Sequence, residues 1–315
     1  MNNILILGGS GFVGSALCEA LARRGDARIT VPTRRSAQAK HLLTLPAVDI
    51  VQADVHDDRE LARLVAGRDA VVNLIAILHG DAAAFERVHA ALPRRIAQAC
   101  AAAGVPRIVH VSALGADAQA PSLYLRSKAA GEAALRESGL AATILRPSII
   151  FGPGDSFLNL FAKLQAMLPI VPLAGANARF QPVWVGDVAE AIIRSLDRPD
   201  VAGQTLECAG PTVYTLAELV RLAGRWSGHE RPVFALPDAL GRVQARLMEW
   251  LPGEPLMSRD NIDSMRVPNI ASGECAGLEQ LGIEATALEA IGPLMLAPGG
   301  ELARLNRWRA AAHSG

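Results

Sequence analysis

Apolar residues fall in short unbroken runs through the first half of the chain, separated by longer stretches rich in alanine and leucine. The runs Ile4–Leu7, Arg28–Val31, Ile50–Gln52, Ala70–Leu74, Arg107–Val111 and Ala142–Leu145 hold many β-branched residues and do not alternate with polar ones. Such runs fit strands of a parallel sheet covered on both faces. The stretches Gly11–Arg24, Asp58–Val65, Phe85–Ala103 and Leu123–Ser138 have helical patterns. Alternating strands and helices predict an α/β fold, a Rossmann-type doubly wound parallel sheet with right-handed crossovers. Pro93, early in the third helix, marks a kink or the true helix start.

After Arg146-Pro147 the pattern loosens, and glycine and proline become frequent. Helices recur at Asp187–Leu196 and Leu216–Ser227. The expected division is a sheet domain over 1–150 and a smaller, irregular lobe over 151–315 for substrate or interaction, with the chain crossing back near 176–210. Phe151 to Leu168 and Pro232 to Met265 are the expected pocket walls. Asp238–Trp250 is helical in pattern, with Leu240, Val243, Leu247 and Trp250 on one side. It reads first as a core helix. A lid over an apolar substrate and a membrane-surface helix are the alternatives.

The first strand runs into Gly8-Gly9-Ser10-Gly11-Phe12-Val13-Gly14. A strand, a glycine-rich turn and a helix start in that order form a site for a pyrophosphate, because glycine permits close backbone approach and the helix N-terminus attracts anions. A P-loop would need Lys-Ser/Thr after Gly14, where the chain has Ser15-Ala16. A nucleophile elbow would need a glycine at Phe12. The second strand ends in Pro32-Thr33-Arg34-Arg35, with no acid to hold the ribose hydroxyls of NAD. A guanidinium fork suits a 2′-phosphate, so NADP(H) is favoured over NAD(H). The competing reading makes Arg34 and Arg35 plain surface residues. Asp54, in Ala53-Asp54-Val55, offers a carboxylate to the adenine amino group or serves as a helix N-cap. Candidate cofactor contacts are Gly8, Ser10, Gly11, Phe12, Val13, Gly14, Thr33, Arg34, Arg35, Asp54 and Val55. Leu74, Ile75 and Ala76, at the end of the fourth strand, join them.

The fifth strand ends in His110-Val111-Ser112-Ala113, and the next helix holds Tyr124-Leu125-Arg126-Ser127-Lys128. Tyr124 and Lys128 share a helix face. Ser112 stands at the carboxyl end of a strand, where open α/β sheets bind ligands. Tyr124 as proton donor and acceptor, Lys128 as the cation that tunes it and holds the nicotinamide ribose, and Ser112 as donor to the substrate oxygen form one coherent catalytic set. Tyr-x-x-x-Lys alone is a weak signal. Its place downstream of the glycine loop strengthens it.

Formal net charge is zero, and 20% of residues are charged. That argues against general nucleic-acid binding. The apolar run after Met1-Asn2-Asn3 is too short for a secretory leader, and no run approaches a membrane span, so the cytoplasm is the expected compartment. Cys18, Cys100, Cys208 and Cys275 show no CxxC spacing, and the seven histidines form no ligand pair. Buried free thiols and no metal site are expected.

These segments, with Val111-Ser112-Ala113-Leu114-Gly115-Ala116, Leu145-Arg146-Pro147-Ser148-Ile149-Ile150-Phe151-Gly152-Pro153 and Gln181-Pro182-Val183-Trp184-Val185-Gly186-Asp187-Val188-Ala189, resemble the atypical extended short-chain dehydrogenase/reductases. Within that group the chain most resembles the branch related to the nucleotide-binding accessory subunit of mitochondrial complex I. The likeness covers residues 1 to about 200 and is loose beyond. It implies that Pro147 approaches the nicotinamide. It also implies a departure at His89, where the wider group often has asparagine, which puts a proton relay through that position in question.

Two functions follow. One is an oxidoreductase on an apolar or quinone-related carbonyl or alcohol, since few charges stand among the pocket candidates. The other, implied by the resemblance, is a non-catalytic cofactor-binding accessory or assembly protein, peripheral to a membrane or to a respiratory complex. A nucleotide-sugar epimerase or dehydratase ranks below both, because a diphosphate would need several fixed cations. Oligomeric state is not legible.

Overall fold

The computed structural model describes residues 2–250 and 257–298. Its centre is a seven-stranded parallel sheet. Six strands are β1 (Asn3–Leu7), β2 (Arg28–Thr33), β3 (Val48–Gln52), β4 (Ala70–Asn73), β5 (Arg107–Val111) and β6 (Ala142–Pro147). The seventh, Thr205–Cys208, comes from the second half of the chain and pairs with β6. The order is edge strand, β6, β5, β4, β1, β2, β3. Helices α1 (Phe12–Arg24) and α2 (Asp58–Val65) follow β1 and β3. As the unbroken apolar runs require, Leu5 and Leu7 face one buried cluster and Ile4 and Ile6 the other.

The expected third helix, Phe85–Ala103, is composite: α3 (Ala82–Phe85), a π-helical turn (Glu86–Ala91) and α4 (Leu92–Ala103). Pro93 accounts for the break. It has no N–H to give the His89 carbonyl one turn back, and a π-turn is the local adjustment. That carbonyl meets α5 (Leu123–Glu137), where a Cβ on Gly131 would stand 2.0 Å from it. Only glycine permits so close an approach.

The second half contributes α6 (Leu158–Met167), α7 (Val185–Asp197), which packs on α1, and α8 (Leu216–Trp226). Three two-stranded pairings link its loops: Ile150–Phe151 with Val183–Trp184, Arg179–Phe180 with Tyr214–Thr215, and Val171–Leu173 with Val233–Ala235. Two further helices, α9 (Asp238–Glu249) and α10 (Arg259–Ser264), form an outer layer. The sequence pattern placed α9 in the core, and the structure corrects this. Gly241 and Ala245 are its buried residues, whereas Leu240, Val243, Leu247 and the following Trp250 face water. Part of the expected pocket wall, residues 251–256, lies outside the described residues.

Candidate functional site

The chain reverses direction across the sheet between β1 and β4, the crevice where open α/β sheets take ligands. Gly8 (φ +83°) closes the turn after β1, and a Cβ there would meet the Leu74 carbonyl carbon at 3.1 Å and the Ile75 nitrogen at 3.2 Å. The glycine loop and the Leu74-Ile75-Ala76 segment are thus pressed together. Gly14 lets α1 settle on the loop, since its Cβ would fall 2.4 Å from the Gly8 carbonyl oxygen. Gly11 differs. Its φ of −81° is ordinary, so its value is space rather than backbone freedom. A Cβ there would meet only the Gly8 oxygen, at 3.3 Å. Helix α1 starts at Phe12 with no side-chain cap and no acid in its first turn. Its first N–H groups therefore face an open cradle that fits a pyrophosphate.

The other candidates line up along the carboxyl ends of the strands. Thr33 ends β2, its hydroxyl bonded to the Arg35 backbone. Arg34 and Arg35 are exposed and form no ion pair among the described residues. Past β3, Asp57 rather than Asp54 caps α2, accepting from the Arg59 and Glu60 amides. That leaves the Asp54 side chain exposed, its Oδ1 accepting from the His56 amide at 3.0 Å. Val55 turns inward to the core. Pro147, the last residue of β6, is buried, and its carbonyl accepts from the Leu114 amide.

Ser112 and the Tyr124–Lys128 pair meet at β5. The Lys128 ammonium is buried and donates to the Val111 carbonyl at 3.0 Å, one residue before Ser112. The same nitrogen lies 6.0 Å from the Tyr124 ring centre. Burial lowers the Lys128 pKa to about 8, against a smaller opposing pull from Glu132, and raises the Tyr124 phenol to about 12. The Ser112 hydroxyl is buried and has no hydrogen-bond partner among the described residues. An unpaired buried hydroxyl is costly, and a ligand oxygen would satisfy it.

His89 also reaches the site. Its ring stacks edge-on to Tyr124 at 5.5 Å, while Phe85 stands 6.2 Å from the same ring. Its Nε2 accepts from the Ile77 amide at 3.0 Å, and Nδ1 contacts the Ser127 hydroxyl at 2.8 Å. Ser127 gives its proton to the Tyr124 carbonyl, so the hydroxyl can only accept from His89. That fixes a neutral imidazole with its proton on Nδ1. Burial, then Lys128, lowers its pKa to about 3. Both nitrogens are engaged with protein, which suits a support for helix α5 and not a proton relay.

Three features escaped sequence reasoning. Asn73 and His110, paired in register on β4 and β5, join side chains at 3.0 Å beneath the site. Burial, then Lys128 and His89, holds His110 neutral. Glu132, fully buried one turn beyond Lys128, accepts from Arg146 Nε and Nη2, one on each carboxylate oxygen. Asp260, on α10, binds the first turn of α5 at the Leu123 and Tyr124 amides. The first two show in sequence only as polar residues inside apolar runs. The third is a contact across 136 positions with no local signal.

Among the described residues, no group of three or more His, Cys, Asp or Glu side chains is placed to hold a metal ion. No described helix is long and apolar enough to cross a membrane. Cys18, Cys100 and Cys208 are buried, with burial raising each thiol to about 12.

The chain is similar to mitochondrial NADH dehydrogenase [ubiquinone] 1 alpha subcomplex subunit 9 of Mus musculus, with 33% identity over 90% of this chain and 77% of that protein. It is also similar to a ceramide reductase of Caulobacter vibrioides, at 32% identity over 75% and 74%. An epimerase structure from Methanothermobacter thermautotrophicus shares the fold, with a TM-score of 0.74 and 17% identity over 98% of this chain and 92% of that one. Residues 4–209 match the NAD dependent epimerase/dehydratase family model, which spans the glycine loop, Ser112, Tyr124, Lys128 and the edge strand. The chain therefore belongs to the NAD dependent epimerase/dehydratase family, the extended short-chain dehydrogenase/reductases.

Proposed function

We propose that the protein is an NADP(H)-dependent oxidoreductase that interconverts an apolar carbonyl compound and its alcohol. The observation behind this reading is the meeting of Tyr124, Lys128 and the unsatisfied Ser112 hydroxyl at the end of β5. The cofactor, when bound, supplies or accepts the hydride. The glycine loop and the start of α1 hold its pyrophosphate. Arg34 and Arg35 hold the 2′-phosphate, Asp54 the adenine amino group and Lys128 the nicotinamide ribose. Leu74, Ile75 and Ala76 flank the cofactor, and Pro147 borders its reactive end.

Ser112 donates a hydrogen bond to the substrate oxygen as charge develops there. Tyr124 exchanges the proton with that oxygen. Burial keeps the phenol protonated, so the resting site is set to deliver a proton, which suits reduction of a carbonyl. The Lys128 ammonium lies close enough to the ring to stabilise the phenolate that results. An apolar substrate is supported by the Caulobacter relative, which is named for reducing a ceramide.

A second reading is an accessory protein that holds the cofactor without turnover, favoured by the 90% coverage of this chain by a relative named as a complex I subunit. One experiment separates the two. The purified protein is mixed with NADPH and a panel of long-chain ketones, keto-amides and quinones, and NADPH absorbance is followed. Consumption with any of them supports the enzyme. Tight NADPH binding with no consumption supports the accessory role.

A further inference from the structure

Helix α9 packs against the body through its smallest side chains. A Cβ on Gly241 would stand 2.7 Å from Ala174 Cβ, and Ala174, Ala245 and Ile262 form the cluster beneath it. The bulky residues point the other way. Leu240, Val243, Leu247 and Trp250 recur at helical spacing on one face, with Leu247 58% and Trp250 73% exposed. Further exposed apolar residues stand on the ribbon that leads into the helix and at the end of α6. In the ribbon just before α9, Phe234 pairs with Pro172, and Ile170 stands in the bend that enters the paired strand. Phe234 and Ile170 are at least half exposed, and Met167, at the end of α6, is 80% exposed. Surfaces of this kind mark interaction sites on soluble proteins.

Its charges identify the occupant. Lys163 lies one turn before Met167 on the same side of α6, exposed and in no ion pair among the described residues. Arg246 lies over the Trp250 ring at 5.7 Å, and Arg242 flanks the apolar face while bonded to Asp263. Glu249, an acid at the helix end, is engaged by Arg259. The described chain ends at Pro298, packed on Gly228, three residues before Arg231. Residues 299–315 carry Arg304, Arg307 and Arg309 against a single acid, Glu301, with Leu302, Leu305 and Trp308 between them. An aliphatic face edged by tryptophan and arginine, with the exposed Lys163 near Met167 and a basic stretch following Pro298 in the sequence, matches the headgroup boundary of an anionic membrane.

We propose that the outer face of α9, with Phe234, Ile170 and Met167, docks on an anionic lipid bilayer. Docking goes beyond the oxidoreductase reading and does not depend on it. Its consequence rests on that reading. Arg242 ties α9 to Asp263 of α10, and Asp260 of α10 holds the turn bearing Tyr124. A docked protein would hold the lobe next to Tyr124 against the bilayer, where an alkyl-chain substrate resides.

The test is flotation of the full chain with vesicles of phosphatidylcholine alone or mixed with phosphatidylglycerol. Partners are the wild type, Val243→Glu with Leu247→Glu, and Lys163→Glu. The substituted side chains already face water, and circular dichroism melts and NADPH affinity check the fold. The wild type should float with mixed vesicles and poorly with phosphatidylcholine. The double variant should lose about tenfold or more of its partitioning, and Lys163→Glu a smaller share. Failure to bind mixed vesicles, or binding unchanged in the double variant, would overturn the proposal. A concentration-dependent dimer abolished by the double substitution, with no vesicle binding, would assign the face to a second copy instead. Vesicle binding without any NADPH affinity would leave docking intact and remove the oxidoreductase reading.

Discussion

The carboxylate of Asp260 accepts hydrogen bonds from the Tyr124 amide at 3.0 Å and the Leu123 amide at 2.6 Å. A residue of the outer layer thus completes the N-terminus of α5, alongside the Ser122 side chain, which accepts from the Leu125 amide. The position of Tyr124 depends on the second half of the chain as well as on the sheet.

Replacing Asp260 by alanine removes two acceptors and a negative charge from the start of α5. The expected loss is about 1–2 kcal/mol of unfolding free energy, and Asp260→Asn should recover part of it. Denaturant unfolding checks this. An alanine variant as stable as wild type would show that the contact contributes nothing.

The glycines of the loop should separate by role. In Gly14→Ala the new methyl overlaps the Gly8 carbonyl and the Gly9 backbone, so the protein should be strongly destabilised or fail to fold. Gly11→Val should fold, because φ there is ordinary and the new Cβ stands 3.3 Å from a single atom, the Gly8 oxygen, yet lose NADPH binding. Fluorescence titration beside a thermal melt reads both. A folded Gly11→Val protein with wild-type affinity would move the cofactor site elsewhere.

For Arg34→Ala with Arg35→Ala, NADPH affinity should drop by about 1–3 kcal/mol, with little change for NADH. Calorimetric titration of both cofactors tests it. A wild type that binds the two equally would contradict the assignment of these arginines.

His89 sets an acid limit on stability. Its folded-state pKa is lowered to about 3 from an ordinary 6.5, so between those values the unfolded chain binds the extra proton. Stability is then complete above about pH 6.5 and is lost as pH falls toward 3. In His89→Gln that dependence should flatten, and the gap between variant and wild type should narrow with acidity. Parallel slopes for both proteins over this range would argue against a neutral buried His89.

The cofactor half was legible because its signals are local. Unbroken apolar runs require a sheet covered on both faces, and the glycine spacing requires a tight turn, so β1 to β6 and the turn after β1 follow from neighbours in sequence, whereas Pro147 entered through the family resemblance. Helix α9 misled for a physical reason. Periodic bulky residues normally face a core, whereas here Gly241 and Ala245 make the contact and the bulky stripe faces water. The edge strand Thr205–Cys208 and the Asp260 cap depend on long-range pairing that no short window contains. The π-turn at His89 needed Pro93 read together with Gly131 on another helix.

The proposed chemistry depends on proton transfer by Tyr124. The direct measurement is turnover of Tyr124→Phe with whichever carbonyl substrate consumes NADPH, beside its NADPH affinity. The substitution removes one hydroxyl and leaves the ring against Phe85 and His89. In this variant kcat should fall by roughly 10²–10⁴-fold while NADPH affinity stays near wild type. A variant with near-normal kcat would contradict it.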